Sequence, residues 1–157
     1  MGISLREERF DDLLADLVRR VRVLEAYPTT SLHLLDAADV TTQETVNGTS
    51  YHDLVTAGPT VTVDVTSGRL LVWLFAFLIG SETNTVYMSF ALSGPESLAA
   101  ADSRSIRSAA DLSLKAGAAF LVEDLTPGAY TVTAKYRDSL GAGGVTAELR
   151  TLVALPF

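Results

Sequence analysis

The sequence predicts a mainly β protein: an antiparallel, jelly-roll-like β-sandwich knob preceded by an N-terminal α-helix that forms a parallel trimeric coiled coil. Three features of the chain lead there. Residues 4–26 repeat apolar side chains every seven positions, the pattern of a helix that buries one seam. After Pro28 the texture changes to Thr, Val, Tyr and Phe in alternation, broken by turn residues at fairly regular intervals, the pattern of strands joined by hairpins. Among those strands lies LLVWLFAFLI, Leu70 to Ile79, which is apolar on both faces.

The totals narrow the classes of function. At 157 residues the chain holds one ordinary domain and a short appendage. With 48% hydrophobic and 20% charged residues it is a folded and rather apolar protein, as expected where some surface is also buried between subunits. The 12 basic and 19 acidic residues give a formal charge of −7, which repels a phosphate backbone and sets nucleic acid aside as a partner. The lack of cysteine removes disulfides, thiolate metal sites and cysteine nucleophiles together. MGISLREERF alternates Arg and Glu where a secretory signal would be apolar. Leu70–Ile79 is also far shorter than the ~20 residues of a membrane helix. The expectation is a protein with no targeting segment and no membrane insertion.

The helix occupies the first of two expected segments, 1–28. Phe10, Leu14, Leu17, Val21 and Leu24 are spaced alternately four and three apart, Ser4 and Glu7 have capping-box spacing, and Pro28 blocks continuation. Asp11, Asp12 and Asp16 precede Arg19, Arg20 and Arg22, the order that the helix dipole favours. With Leu14 and Val21 at heptad position a, Phe10, Leu17 and Leu24 fall at d, Arg20 at g and Glu25 at the following e, where they pair across parallel, in-register chains. Val at a with Leu at d by itself favours a dimer, whereas Leu13 at g and Val18 at e widen the seam toward a larger bundle. RVRVLE, Arg20 to Glu25, resembles the short pattern of parallel trimeric coiled coils. The competing arrangement is an amphipathic helix folded onto its own sandwich. A helix this short is marginal alone in water and needs a partner from somewhere.

The second segment, 29–157, is the knob. Val61, Val63 and Val65 alternate with Thr62, Asp64 and Thr66, one face to a core and one to water. Val86, Met88, Phe90 and Leu92 define a second core face, and the alternation is less clean because Tyr87, Ser89 and Ala91 make the opposite face a candidate for cover as well. Turns at Asn47-Gly48, Ser67-Gly68, Gly80–Asn84, Pro127-Gly128 and Gly141–Gly144 imply strands near 31–36, 40–46, 60–66, 69–79, 85–93, 119–124, 129–138 and 145–155. Residues 94–117 read as mostly irregular, with a strand around 103–108. Eight or so such strands make a sandwich. The apolar run needs cover on its second face, from a threefold neighbour or from the 94–117 loop.

Chemistry is sparsely represented, and the expectation is no catalytic residue, no metal and no cofactor. His33 and His52 share no metal-binding spacing. Asp36 with Asp39, and Glu123 with Asp124, lack the spacing of a calcium loop and read as solvated strand ends. Ser93-Gly94 lacks a nucleophile-elbow context, and no phosphate-binding glycine loop occurs. Exposed aromatics matter more, because sugar rings stack on them. Tyr51 beside His52 is the candidate ligand-binding pair; Trp73 reads as core, and Tyr130 and Tyr136 share one strand face.

Four stretches, TSYHDLVTAGPTVTVDVTSGRLLV, YMSFALSGPESLAAADSRSIR, FLVEDLTPGAYTVTAKYR and LRTLVALPF, covering about residue 40 to the end, resemble a class of virion proteins from phages of actinobacteria in which a short coiled coil leads into a trimeric β-sandwich knob. The resemblance implies a homotrimeric tail-fibre tip or minor tail protein, located in the virion, contacting other virion proteins and a host cell-surface glycan, with no catalysis. Its short N-terminal segment also fits a capsid vertex spike or head decoration. The alternatives of other classes are a free carbohydrate-binding module and a glycan-processing enzyme, the latter requiring two acids in a cleft.

Overall fold

The computed structural model describes residues 35–157; the heptad segment, with Phe10, Leu14, Leu17, Arg20, Val21, Leu24 and Glu25, and His33 lie outside the described residues. The strands are β1 (Asp36–Val40), β2 (Glu44–Val46), β3 (Thr60–Val65), β4 (Leu70–Ile79), β5 (Val86–Ser93), β6 (Ile106–Ser108), β7 (Ser113–Val122), β8 (Gly128–Asp138) and β9 (Val145–Pro156). They form two antiparallel sheets, β1-β9-β4-β7 with β2 also on β9, and β3-β8-β5-β6. Successive strands mostly cross to the opposite sheet, which is the double Greek key of a jelly roll. The expected antiparallel sandwich is therefore observed.

Five expected strands match β3, β4, β5, β8 and β9 to within a residue at either end. The strand expected at 31–36 is replaced by β1 over Asp36–Val40, with residues 31–34 outside those described, and the strand expected at 40–46 is interrupted before β2. The strand expected around 103–108 is only β6, after a 3₁₀ turn at Asp102–Arg104. The largest correction is β7. The segment 94–117 is irregular only as far as Leu112, and a full ten-residue strand replaces the short one expected at 119–124. SLKAGAAFLV carries little β propensity, but pairing along the whole of β4 overrides this.

Between the sheets, Val61, Val63 and Val65 meet Leu70, Val72, Leu74 and Leu78, with Met88 and Phe90 of β5, all essentially buried. Tyr130 and Tyr136 point into this core together, as their shared face requires, and each hydroxyl has a partner: Tyr136 donates to the Gly58 carbonyl at 2.9 Å and Tyr130 to the Thr126 carbonyl at 2.9 Å. Phe90 and Phe120 pack with ring centroids 6.0 Å apart.

One irregularity reorganises the first sheet. The register of β9 on β4 shifts between Phe75 and Phe77, and Leu149 adopts a left-handed φ of 51°. This β-bulge inserts one residue and reverses the parity of the strand. Val145 and Ala147 point inward before it, Leu152 and Ala154 after it. The same bulge turns Arg150 into the interior, where it is fully buried. Its Nη2 donates to Glu44 Oε1 at 3.1 Å and to the Thr42 carbonyl at 3.3 Å, and the guanidinium lies 5.3 Å from the centre of the Tyr136 ring. Glu44 in turn accepts the Thr56 amide at 3.1 Å.

A second buried polar group shapes the loop after β8. Asp138 accepts the amides of Leu140, Gly141 and Gly143, and Asn84 reaches the same loop, its Oδ1 accepting the Ser139 amide and its Nδ2 donating to the Gly143 carbonyl at 3.1 Å. Both side chains are buried and satisfied by backbone, a fixed loop rather than a ligand site.

Removing Glu44 leaves a buried guanidinium without its counter-charge, so Glu44→Ala should cost about 3–5 kcal/mol in urea unfolding, and the double change Glu44→Leu with Arg150→Met should recover most of it. Burial pushes the Glu44 carboxyl up, but the Thr56 hydrogen bonds and the Arg150 charge outweigh it and hold it below its ordinary value of 4.5. A depressed carboxylate stabilises the fold above its unfolded value and loses that contribution as pH falls through the folded one. The acid limb of wild-type stability should therefore flatten in Glu44→Gln.

Candidate functional surfaces

The two outer sheet faces differ in kind. On the β4 sheet the outward side chains form cross-strand rows: Leu121, Leu71 and Leu155, then Ala119, Trp73 and Val153, then Gly117, Phe75 and Thr151. Phe75 is 45% exposed, Leu121 50% and Leu149 44%; charge enters at the margins, with Arg69 paired to Glu123 before the first row, Asp39 of β1 opposite Thr151, and Lys115 and Glu148 flanking Phe77 in the next row. The Phe75 ring lies across Gly117, where a Cβ would come within 2.5 Å of the ring, so this crossing needs glycine. Beside it Phe75, Phe77, Lys115 and Leu149 border a depression of about 370 Å³.

Trp73, expected in the core, instead faces outward and is half-buried, because the core-facing parity of β4 belongs to Leu70, Val72, Leu74, Ala76 and Leu78. Nor does the 94–117 loop cover this face. Its residues 98–105 lie on the other sheet against β5: Leu92 and Leu98 exchange backbone hydrogen bonds, and the Ser89 hydroxyl bonds the Ala101 and Arg104 carbonyls at 3.0 and 2.8 Å. The second face of β5 is thereby covered. Among the described residues nothing covers the apolar rows of β4.

On the β8 sheet the outward residues are polar. Thr131, Thr133, Lys135 and Arg137 follow one another along β8, with Thr62 and Thr60 of β3 opposite the first two. Two loops rise over the Lys135 and Arg137 end, residues 48–53 and residues 99–102, and between them runs a trough of about 660 Å³ floored by Ala91. Tyr51 stands on one bank. Its hydroxyl donates to Asp102 Oδ1 on the other at 2.8 Å. Arg137 grips the same carboxylate through Nε at 2.8 Å and Nη2 at 2.5 Å, the bidentate geometry that arginine favours. The guanidinium stacks 3.8 Å from the centre of the Tyr87 ring and 5.5 Å from that of Tyr51. Lys135 Nζ donates to Asp53 at 2.7 Å.

Of the sequence candidates, Tyr51 lines the trough while His52 turns back beneath it: its backbone pairs with Tyr136 and its Nδ1 is 2.9 Å from the Ser50 carbonyl. The carboxylate pairs stay apart in function. Asp36 accepts the Thr62 amide at 3.3 Å, Asp39 the Thr151 hydroxyl at 2.5 Å, and Glu123 pairs with Arg69 at 3.1 Å. Among the described residues no group of three or more His, Asp or Glu could hold a metal ion, and no helix is long and apolar enough to cross a membrane. Lys135, Arg137 and Asp102 were missed by sequence reasoning. The outward alternation of Lys135 and Arg137 with Ala134 and Tyr136 marked two of them; nothing local marked Asp102.

Burial and the Asp102 carboxylate push the Tyr51 phenol up to about 12, while Arg137 and Tyr51 hold the Asp102 carboxyl below its ordinary value. Asp102→Asn should bring the Tyr51 ionisation back toward 10, read as a lower midpoint in ultraviolet titration against a Tyr51→Phe control.

No family model matches the sequence, and no curated protein matches it. Similar solved structures include the infectious bursal disease virus VP2 subviral particle, at 10% identity and a TM-score of 0.45 over 78% of this chain and 32% of that one. Another is TmCBM61 in complex with beta-1,4-galactotriose, at 9% identity and a TM-score of 0.39 over 80% of this chain and 83% of that one. The chain thus spans about a third of the length of the viral chain.

Proposed function

We propose that the protein is a non-catalytic structural component of a phage particle, a homotrimeric tail-fibre or minor tail element. In it, residues 4–26 form a shared parallel coiled coil and the sandwich knobs pack against one another through the outer face of the β4 sheet. The observation that carries this is the apolar rows at Leu71, Trp73 and Phe75, with Phe75 and Leu121 about half exposed. Contiguous apolar surface of this kind marks a protein contact. A second copy is the natural occupant because the heptad seam, with Arg20 and Glu25 at g and e, brings copies together in parallel and in register. The virion setting rests on the resemblance of the four knob stretches. The same build serves a capsid decoration, and a knob displayed on a particle is suited to bind a host-surface glycan.

Light scattering at micromolar concentration should return the mass of three chains. Leu17→Asp at a core d position and Phe75→Asp on the sheet face should each lower that mass while circular dichroism keeps the β signal. Arg20→Ala should weaken association by only about 0–1 kcal/mol, as single exposed ion pairs do. A wild-type monomer would overturn the assembly and point to a helix folded onto its own sandwich, or to a free carbohydrate-binding module. Electron micrographs of labelled particles test the virion assignment, and absence of label from particles would sink it.

A further inference from the structure

The trough on the β8 sheet has the makings of a ligand site, and its charges decide which ligand. Every charged group there is already matched within the fold: Arg137 with Asp102, Lys135 with Asp53. A free anion would have to displace or face two carboxylates, and a cation would face an ammonium and a guanidinium. A polyhydroxyl ligand meets no such conflict. Lys135 Nζ has three N–H donors and uses one on Asp53, and Asp102, with its side chain 58% exposed, keeps one acceptor position on Oδ2 after Tyr51 and Arg137 have taken the others. Neighbouring sugar hydroxyls can accept from the first and donate to the second.

The rest of the trough fits the same chemistry. Ala91, Ala99, Ala100 and Ala101 offer methyl surface on which the C–H face of a pyranose can lie, and Thr49 and Ser50 add hydroxyls at the rim. Outside the trough, the same face of β8 continues from Lys135 to Thr133 and Thr131, which pair with Thr60 and Thr62, their hydroxyl oxygens 3.4 and 3.2 Å apart. The trough, of about 660 Å³, lies open to solvent, so a ligand in it keeps one side in water. The banks are pinned together, because the Tyr51 to Asp102 hydrogen bond and the Arg137 fork tie one loop, the other loop and the sheet into one unit. A site fixed before binding loses little to ordering.

We propose that this trough binds a neutral oligosaccharide chain, its rings running from the alanine floor toward the threonine strip. This deepens the host-surface role proposed above and rests on it for the biological setting.

The test is an amide NMR titration of the full chain with cellotriose, mannotriose and galactotriose, with galacturonic acid trimer and inorganic phosphate as charged probes. At least one neutral trisaccharide should shift the amides of Tyr51, Ala91, Ala101 and Lys135 at millimolar concentration. Lys135→Ala, which leaves the Tyr51 to Asp102 bridge intact, should weaken that binding about tenfold. Ala99→Trp, which fills the trough from its exposed rim, should abolish it. Shifts with none of the neutral sugars, shifts only with galacturonate or phosphate, or shifts unaffected by Ala99→Trp would overturn the site. Light scattering on the same samples separates the two readings: a trimer that ignores sugars refutes the trough alone, and a monomer that binds them refutes the assembly alone.

Discussion

Strand β9 holds the first sheet together, pairing with β1, β2 and β4, and it can do so only by changing parity partway along. Its first half buries odd-numbered residues, Val145 and Ala147, and its second half even-numbered ones, Leu152 and Ala154. Without the extra residue at Leu149, one half would turn its inward set to the outside. The insertion has a chain of consequences. Arg150 is left inside; Glu44 must come in to meet it; the Thr42 carbonyl turns toward the guanidinium; and the first edge strand is split into β1 and β2 with a connection between them. A single backbone irregularity thus explains a buried ion pair and a broken strand that otherwise look unrelated.

What the sequence revealed and what it concealed follow from the same physics. Val61, Val63 and Val65 alternate with polar residues, so period and face were both readable, as they were for β5 and β8. In LRTLVALPF, by contrast, Leu149, Leu152, Val153 and Leu155 put apolar residues at both parities, so neither the bulge nor the inward turn of Arg150 leaves a periodic trace. Strand β7 was hidden for another reason. Its alanines, glycine and serine carry no face of their own, and their value is their smallness: Gly117 makes room for Phe75 of the neighbouring strand, a fact about β4 rather than about β7. Tyr51 was found because aromatic residues in loops are conspicuous. Its partner Asp102 lies 51 residues away, and Arg137 lies a further 35 along, distances over which only the folded topology brings residues together.

The two sheets divide their work by what their outer faces carry. Both present an apolar inner face to the shared core, but the β4 sheet repeats apolar residues outward, while the β8 sheet presents threonine, lysine and arginine. A body with such opposed sides is oriented by any arrangement that buries the greasy one. In the proposed trimer, knobs grouped about a common axis with the β4 sheets inward would carry the β8 sheets, and the trough with its tyrosine, around the periphery. Binding several times to one repetitive surface multiplies avidity without any stronger single contact.

The ten residues of β7 have a further consequence. Among the described strands β7 has a neighbour on one side only, so its other side offers a row of free amides and carbonyls directly beside the apolar rows. Such an edge is a template on which a stray chain can extend the sheet, and Lys115 is the one charged side chain along it. The order of events during maturation therefore matters. Chains that met edge to edge before they met face to face would grow into sheets without end, a route that early pairing through the proposed N-terminal seam would keep closed.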